Sequence, residues 1–146
     1  MTHIQTMQAS TFGWGKGTMQ SLEELRTGKR LVGEEPLQVG QGKGAGNGVI
    51  MKIAPIAALT ALTGRYFYDE IIEFGKLTHS DMRARIAPVA VYMFLVNALL
   101  AGDEPVFIDS PSLEFFYQDK MLKVICELEQ KYVQDVKMRN YLSSHL

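Results

Sequence analysis

Nine consecutive positions, Gly40 to Gly48, hold five glycines at alternate places, with one Lys and one Asn between them. The stretch from Gly40 to Pro55 reads GQGKGAGNGVIMKIAP, so the loop turns at once into an apolar run that starts Val49-Ile50-Met51. Alternate glycines let the backbone take φ > 0 and come within contact distance of a neighbour or ligand, because no Cβ stands in the way. The apolar run has the look of a helix start. A side-chain-poor loop leading into a helix N-terminus is a physical recipe for holding an anion on backbone N–H groups.

The rest of the chain must pack around that loop. Its 146 residues suggest one domain or part of one, and 47% apolar residues are enough for a real core. Lys and Arg total 15 against 16 Asp and Glu, a net charge of −1. That balance argues against broad electrostatic binding of nucleic acid or of an anionic membrane. Cys126 is the only cysteine, so no intramolecular disulfide can form. Met1-Thr2-His3-Ile4-Gln5 lacks the basic start and apolar core of a signal peptide, and a cytoplasmic location is expected. The run Ile86 to Ala101 is about 16 residues long, short of the roughly 20 that span a bilayer, and reads as a central buried helix.

Periodicity predicts an all-α fold. Thr18 is a candidate N-cap for a short helix through Arg26, with Met19, Leu22 and Leu25 apolar and Gly28 as the stop. Residues 29–48 form a long polar loop of the kind that is functional or disordered. Val49 to Leu62 reads as one helix kinked at Pro55, ended by Gly64. Tyr66 to Lys76 is a second, with Phe67, Ile71 and Phe74 on one face. Ser80 is read as the cap of a third, from Asp81 to about Leu100, closed by Gly102 and Pro105. Ser110-Pro111 opens a fourth, with Phe115, Leu122, Ile125 and Leu128 apolar, and the pattern continues through Tyr132, Val136 and Tyr141. Val106-Phe107-Ile108 is too short to count as a strand.

Several residues carry candidate chemistry. Gly42-Lys43 is followed by Gly44 rather than Ser or Thr, and no strand precedes it, so neither a P-loop nor a dinucleotide fingerprint fits. By composition the loop is a phosphate or sugar cradle or a mobile linker. His79 stands at a helix start, where an imidazole can donate to phosphate or ribose oxygens or act as acid or base; the alternative is a surface residue beside capping Thr78, Ser80 and Asp81. Trp14 within Gly13-Trp14-Gly15-Lys16-Gly17 can stack on a ring or anchor the loop. Asp69, Glu70 and Glu73 read as a solvated face, and Asp103-Glu104 as a turn. His3, His79 and His145 are scattered, without zinc-ligand spacing, and Cys126 lies on an apolar helical face.

Three segments together resemble the ADP-ribosylglycohydrolase family. Gly13-Trp14-Gly15-x-Gly17-Thr18 is similar to its Gly-Trp-Gly-x-x-Thr segment. Gly44-x-Gly46-Asn47-Gly48-x-x-Met51-Lys52-x-x-Pro55 is similar to its Gly-Asn-Gly-x-x-Met-Arg-x-x-Pro signature. Thr78-His79-Ser80-Asp81, with Arg83-Ala84 after it, is similar to Thr-His-x-Asp-x-x-Ala. The resemblance is strongest over residues 8–102. It implies an all-α fold and hydrolysis of the bond at the ribose anomeric carbon. The target would be ADP-ribose on a protein side chain (arginine or serine) or on a related conjugate. It also implies two divalent cations, Mg2+ or Mn2+, and ADP-ribose or an ADP-ribosylated protein as partner. By carry-over, Gly44, Gly46, Asn47, Gly48 and Met51 would line the ADP-ribose cleft, and His79 would touch its ribose–phosphate part.

The chain also departs from that pattern. Lys52 stands where the family has Arg, keeping the charge without the bidentate fork. The family's metal ligands sit in a Thr-Asp-Asp segment and a Gly-Gly-Asp-x-Asp-Thr segment, and this sequence contains no Asp-Asp pair. Asp69, Asp81, Asp103 and Asp109 lack the clustered spacing that two hard cations need. Residues 1–146 are therefore expected to be one partial domain without the family's N- and C-terminal portions, with no catalytic and no metal-ligating residue of its own. Three roles remain open: part of a split or truncated glycohydrolase completed by another chain, a non-catalytic ADP-ribose binder, or a structural protein like the family's crystallin members. Helices that lack their natural neighbours would leave apolar surface, so self-association is expected.

Overall fold

The computed structural model describes residues 15–36, 44–102, 111–133 and 144. Among the described residues there are five α-helices, one short 3-10 turn and no strand, as the all-α reading requires. The elements are α1 (Lys16–Arg26), the 3-10 turn (Ile50–Lys52), α2 (Ala54–Thr63), α3 (Tyr68–Lys76), α4 (Met82–Ala101) and α5 (Pro111–Tyr132).

Helix starts differ from the sequence reading, each for a local reason. The cap of α1 is Gly15, and Thr18 lies inside the helix and is buried, so Thr18 is not the N-cap. The expected single helix from Val49 to Leu62 is broken at Ile53 into the 3-10 turn and α2. Proline has no N–H and its ring disfavours helical geometry in the residue before it. Pro55 therefore falls in the first turn of α2, where an N–H has no intrahelical partner to lose. Helix α3 begins at Tyr68 rather than Tyr66: Phe67 is its cap, with non-helical φ of −124° and ψ of 47°, and its N–H donates to the Tyr92 hydroxyl at 3.0 Å. The cap of α4 is Asp81, not Ser80: its carboxylate accepts from the Arg83 N–H at 2.9 Å. Gly28 and Gly64, with φ of 69° and 72°, end their helices as the sequence predicts. Pro111 opens α5 as expected, while Val136 and Tyr141 lie outside the described residues.

Helix α4 is the hub. It packs on α2, α3 and α5. Its 20 residues make it long and apolar enough to cross a membrane by length and composition, about one turn longer than the apolar run itself. In this fold Ile86, Val89, Tyr92, Met93 and Val96 are buried against Ala57 of α2, Ile71 and Ile72 of α3, and Ile125 and Leu128 of α5. Each such aliphatic side chain, fully buried, stabilises the fold by about 1.5–3 kcal/mol. Pro88 lies within α4 and is buried on the same side.

Polar groups inside the core are consumed in order. The Thr60 hydroxyl donates to Ile56 O at 3.2 Å, so its oxygen accepts from the Tyr92 O–H at 2.5 Å. The Tyr92 oxygen in turn accepts from Phe67 N–H. One chain of hydrogen bonds thus joins α2, the α2–α3 link and α4. The acids read as a solvated face do hold partners: Asp69 accepts from Lys131 Nζ and Tyr132 Oη of α5, and Glu70 pairs with Arg65.

Candidate functional site

The glycine loop lies directly on the segment that links α3 to α4. At Gly44, φ is +76°, and a Cβ there would stand 2.5 Å from Ser80 Oγ and 2.8 Å from the Ser80 backbone nitrogen. At Gly48 a Cβ would stand 3.1 Å from both His79 Cε1 and Thr18 Oγ1. Gly46 follows the same surface, its Cβ position 3.5 Å from His79 Nε2. Any side chain at Gly44 or Gly48 would push the loop away from the imidazole. Thr18 of α1, the glycine loop and His79 therefore meet at one place, although some thirty residues separate each from the next along the chain.

His79 is held from behind. Its N–H and that of Thr78 both donate to Gly75 O, at 2.9 and 3.1 Å. Ser21 Oγ donates to Thr78 O at 3.2 Å. Arg30, 4% exposed, is a buried clamp: its guanidinium donates to Ser21 O at 3.0 Å, Leu77 O at 2.7 Å and Glu34 O at 2.7 Å. The Glu24 carboxylate lies 3.4 Å from Arg30 Nε without hydrogen-bond alignment, so charge attraction rather than a directed bond joins them. Arg85, 2% exposed, does similar service under α3, donating to Ile72 O at 3.1 Å and to Glu35 at 2.9 Å. Polar groups of α1, the 27–36 loop and the α3–α4 link thus satisfy one another beneath the imidazole.

Electrostatics at the imidazole are set by burial first and by one charged neighbour second. Lys52 Nζ donates to Thr78 Oγ1 at 3.3 Å, and Thr78 Oγ1 lies 2.8 Å from His79 Nδ1. Burial pushes the Lys52 ammonium below its ordinary range. Burial, and after it the Lys52 charge, holds His79 below its usual 6.5, so the ring is neutral at pH 7. Arg83, hydrogen-bonded to the Asp81 carboxylate, keeps that carboxyl below the usual carboxylate range.

Of the residues singled out in the sequence, the structure brings together Gly44, Gly46, Gly48 and His79. Asn47 is exposed on the loop crest, and Met51 is 78% exposed on the 3-10 turn. His79 is not the surface residue of the alternative reading, being 4% exposed. Spacing alone missed Thr18, Lys52, Thr78 and Ser80 as members of the site. Each stands within one of the three motif segments, which was the available signal. Trp14, His3, His145, Gly40, Lys43, Asp103 and Asp109 lie outside the described residues.

The arrangement offers donors. From Ala45 to Val49 no backbone N–H is given to a backbone or side-chain acceptor among the described residues. Together with the imidazole they make a set of N–H groups with little side-chain bulk, suited to phosphate oxygens. Metals are a different matter. Among the described residues no three His, Cys, Asp or Glu side chains gather where an ion could be held, so these residues do not fit a divalent pair.

A family model described as ADP-ribosylglycohydrolase matches residues 2–143, well past the 8–102 over which the resemblance is strongest. No curated protein and no solved structure matches the chain.

Proposed function

This chain belongs to the ADP-ribosylglycohydrolase family, and from that premise we propose that its glycine loop and His79 hold the ADP-ribose part of an ADP-ribosylated protein or related conjugate. The N–H groups from Ala45 to Val49, which have no acceptor among the described residues, take the diphosphate oxygens. His79, backed by Thr78, donates to a ribose or phosphate oxygen. Lys52 supplies positive charge close behind the ring. One observation supports this above all: Thr18 and His79, from the first and third motif segments, both come within 3.1 Å of the place a Cβ on Gly48 of the second would occupy.

Hydrolysis asks for more than holding. The bond between the ribose anomeric carbon and the side-chain nitrogen or oxygen breaks, and water adds to the sugar. The family is generally metal-dependent, and a metal pair would supply activation of that water. The described residues do not fit such a pair, so no step of bond cleavage is assigned to them. Turnover then depends on carboxylates brought from elsewhere, as by a complementing chain, and the chain alone binds without cleaving.

Calorimetric titration with ADP-ribose, beside an assay of ADP-ribosyl-arginine and ADP-ribosyl-serine cleavage in added Mg2+, tests both halves. The expected result is saturable heat and no product. Absence of heat up to millimolar ligand would remove the binding role. Clear product from the chain alone would remove the claim of dependence on outside carboxylates.

A further inference from the structure

We infer that Lys52 and Thr78 are positioning residues that lock His79 in the tautomer carrying its proton on Nε2, the nitrogen that faces the glycine loop. As an ammonium, Lys52 Nζ can only donate, and it lies 3.3 Å from Thr78 Oγ1. The Thr78 oxygen therefore accepts from Lys52; its second lone pair could take a ring N–H, but its single hydrogen would then have no acceptor among the described residues, so that hydrogen is what it offers the ring. The acceptor within reach is His79 Nδ1, 2.8 Å off. A neutral imidazole that accepts at Nδ1 carries its hydrogen on Nε2.

Nε2 has no hydrogen-bond partner among the described residues. It faces the loop, 3.5 Å from the Cβ position of Gly46 and 3.4 Å from that of Gly48. The order of donation, Lys52 to Thr78 to His79, thus delivers one fixed N–H donor to the place where loop amides also have no acceptor. Burial of the ring keeps it neutral, so the tautomer rather than a positive charge decides what it offers. In the other tautomer Nε2 would present a lone pair and repel a phosphate or ribose oxygen. The Thr78 backbone is held independently, through Gly75 O and Ser21 Oγ. Placing a ligand oxygen opposite Nε2 rests on the proposed ADP-ribose reading; the tautomer itself does not.

The two are separated by experiment. Nitrogen-15 spectra of the His79 ring in the ligand-free full chain report which nitrogen bears the proton. The wild type and Thr78→Ser are expected to show Nε2–H alone. Thr78→Val, which has no hydroxyl, and Lys52→Met, which removes the donor that orients that hydroxyl, are expected to show a mixture or Nδ1–H. In the same set, Thr78→Val is expected to weaken ADP-ribose binding about tenfold, and Thr78→Ser to restore it. An Nδ1–H ring in the wild type, or an unchanged tautomer in both Thr78→Val and Lys52→Met, overturns the positioning role. The expected tautomers with no ADP-ribose binding by the wild type would uphold the positioning role and overturn the ligand.

Discussion

Gly44 and Gly48 look interchangeable in the sequence, yet they meet different neighbours. A Cβ at Gly44 meets the Ser80 backbone nitrogen at 2.8 Å, which cannot swing aside, and the position also holds φ at +76°. A Cβ at Gly48 meets the Thr18 hydroxyl and a ring carbon at 3.1 Å, which yield by tenths of an ångström. We expect Gly44→Ala to destabilise the fold by about 3 kcal/mol and Gly48→Ala by about 1 kcal/mol, read from urea unfolding. The ordering of the two is the sharper test; equal losses would mean that the loop does not rest on Ser80. Burial and Lys52 also make His79 harder to protonate in the fold than in the unfolded chain. The unfolded state then takes up the proton first as pH falls. Stability is kept above pH 6.5 and lost from there down to the folded value. His79→Gln is expected to erase that decline between pH 7 and 5, as followed by the urea midpoint. A second decline, below the ordinary carboxylate range, belongs to the carboxyls held down by their partners, Asp81 with Arg83, Asp69 with Lys131 and Glu23 with Arg26, and stays in the variant. The glycines and His79 were legible as candidate site residues because the family motifs carried them, and the structure brings them together. Lys52 was legible only as a departure from Arg, since its bond to Thr78 joins residues 26 apart in the chain.

At the scale of elements, the helices themselves were plain in the sequence. Apolar spacing found the bodies of α1 to α5, and Gly28 and Gly64 marked two of the stops. The starts were less legible, because tertiary partners decide them. Thr18 has the chemistry of a cap but is drawn into the site, and Phe67 caps α3 with non-helical backbone while its N–H meets a hydroxyl on α4. That hydroxyl is a place to test the core. Tyr92→Phe keeps the ring but leaves the Phe67 N–H without its acceptor and Thr60 without its donor. We expect a loss of about 2 kcal/mol, the cost of an unsatisfied buried donor. Thermal or urea unfolding measures it, and a change within experimental error would mean that the chain of hydrogen bonds from Phe67 to Ile56 adds nothing net.

At the scale of the whole molecule, two features stand apart. Apolar side chains remain outside the core on α2 (Leu59, Leu62) and on α4 (Phe94, Leu99, Leu100), each at least 45% exposed. Surface of that kind favours association in water. The chain is expected to run as an oligomer in light-scattering chromatography, and Phe94→Glu with Leu99→Glu is expected to return it toward monomer. A sharp monomer peak from the wild type would contradict this. The other feature is convergence: α1, the glycine loop and the α3–α4 link bring three motif segments to one imidazole. No periodicity announces such a meeting, since helix patterns state which face is buried and not against what. The family motifs hinted at it only as separate segments. Backbone amide spectra taken during titration with ADP-ribose test it most directly. The central claim requires that Gly46, Asn47, Gly48 and His79 shift first and saturate together, with Thr18 beside them. Shifts that gather elsewhere on the molecule, or a spectrum that does not change at millimolar ligand, would contradict it.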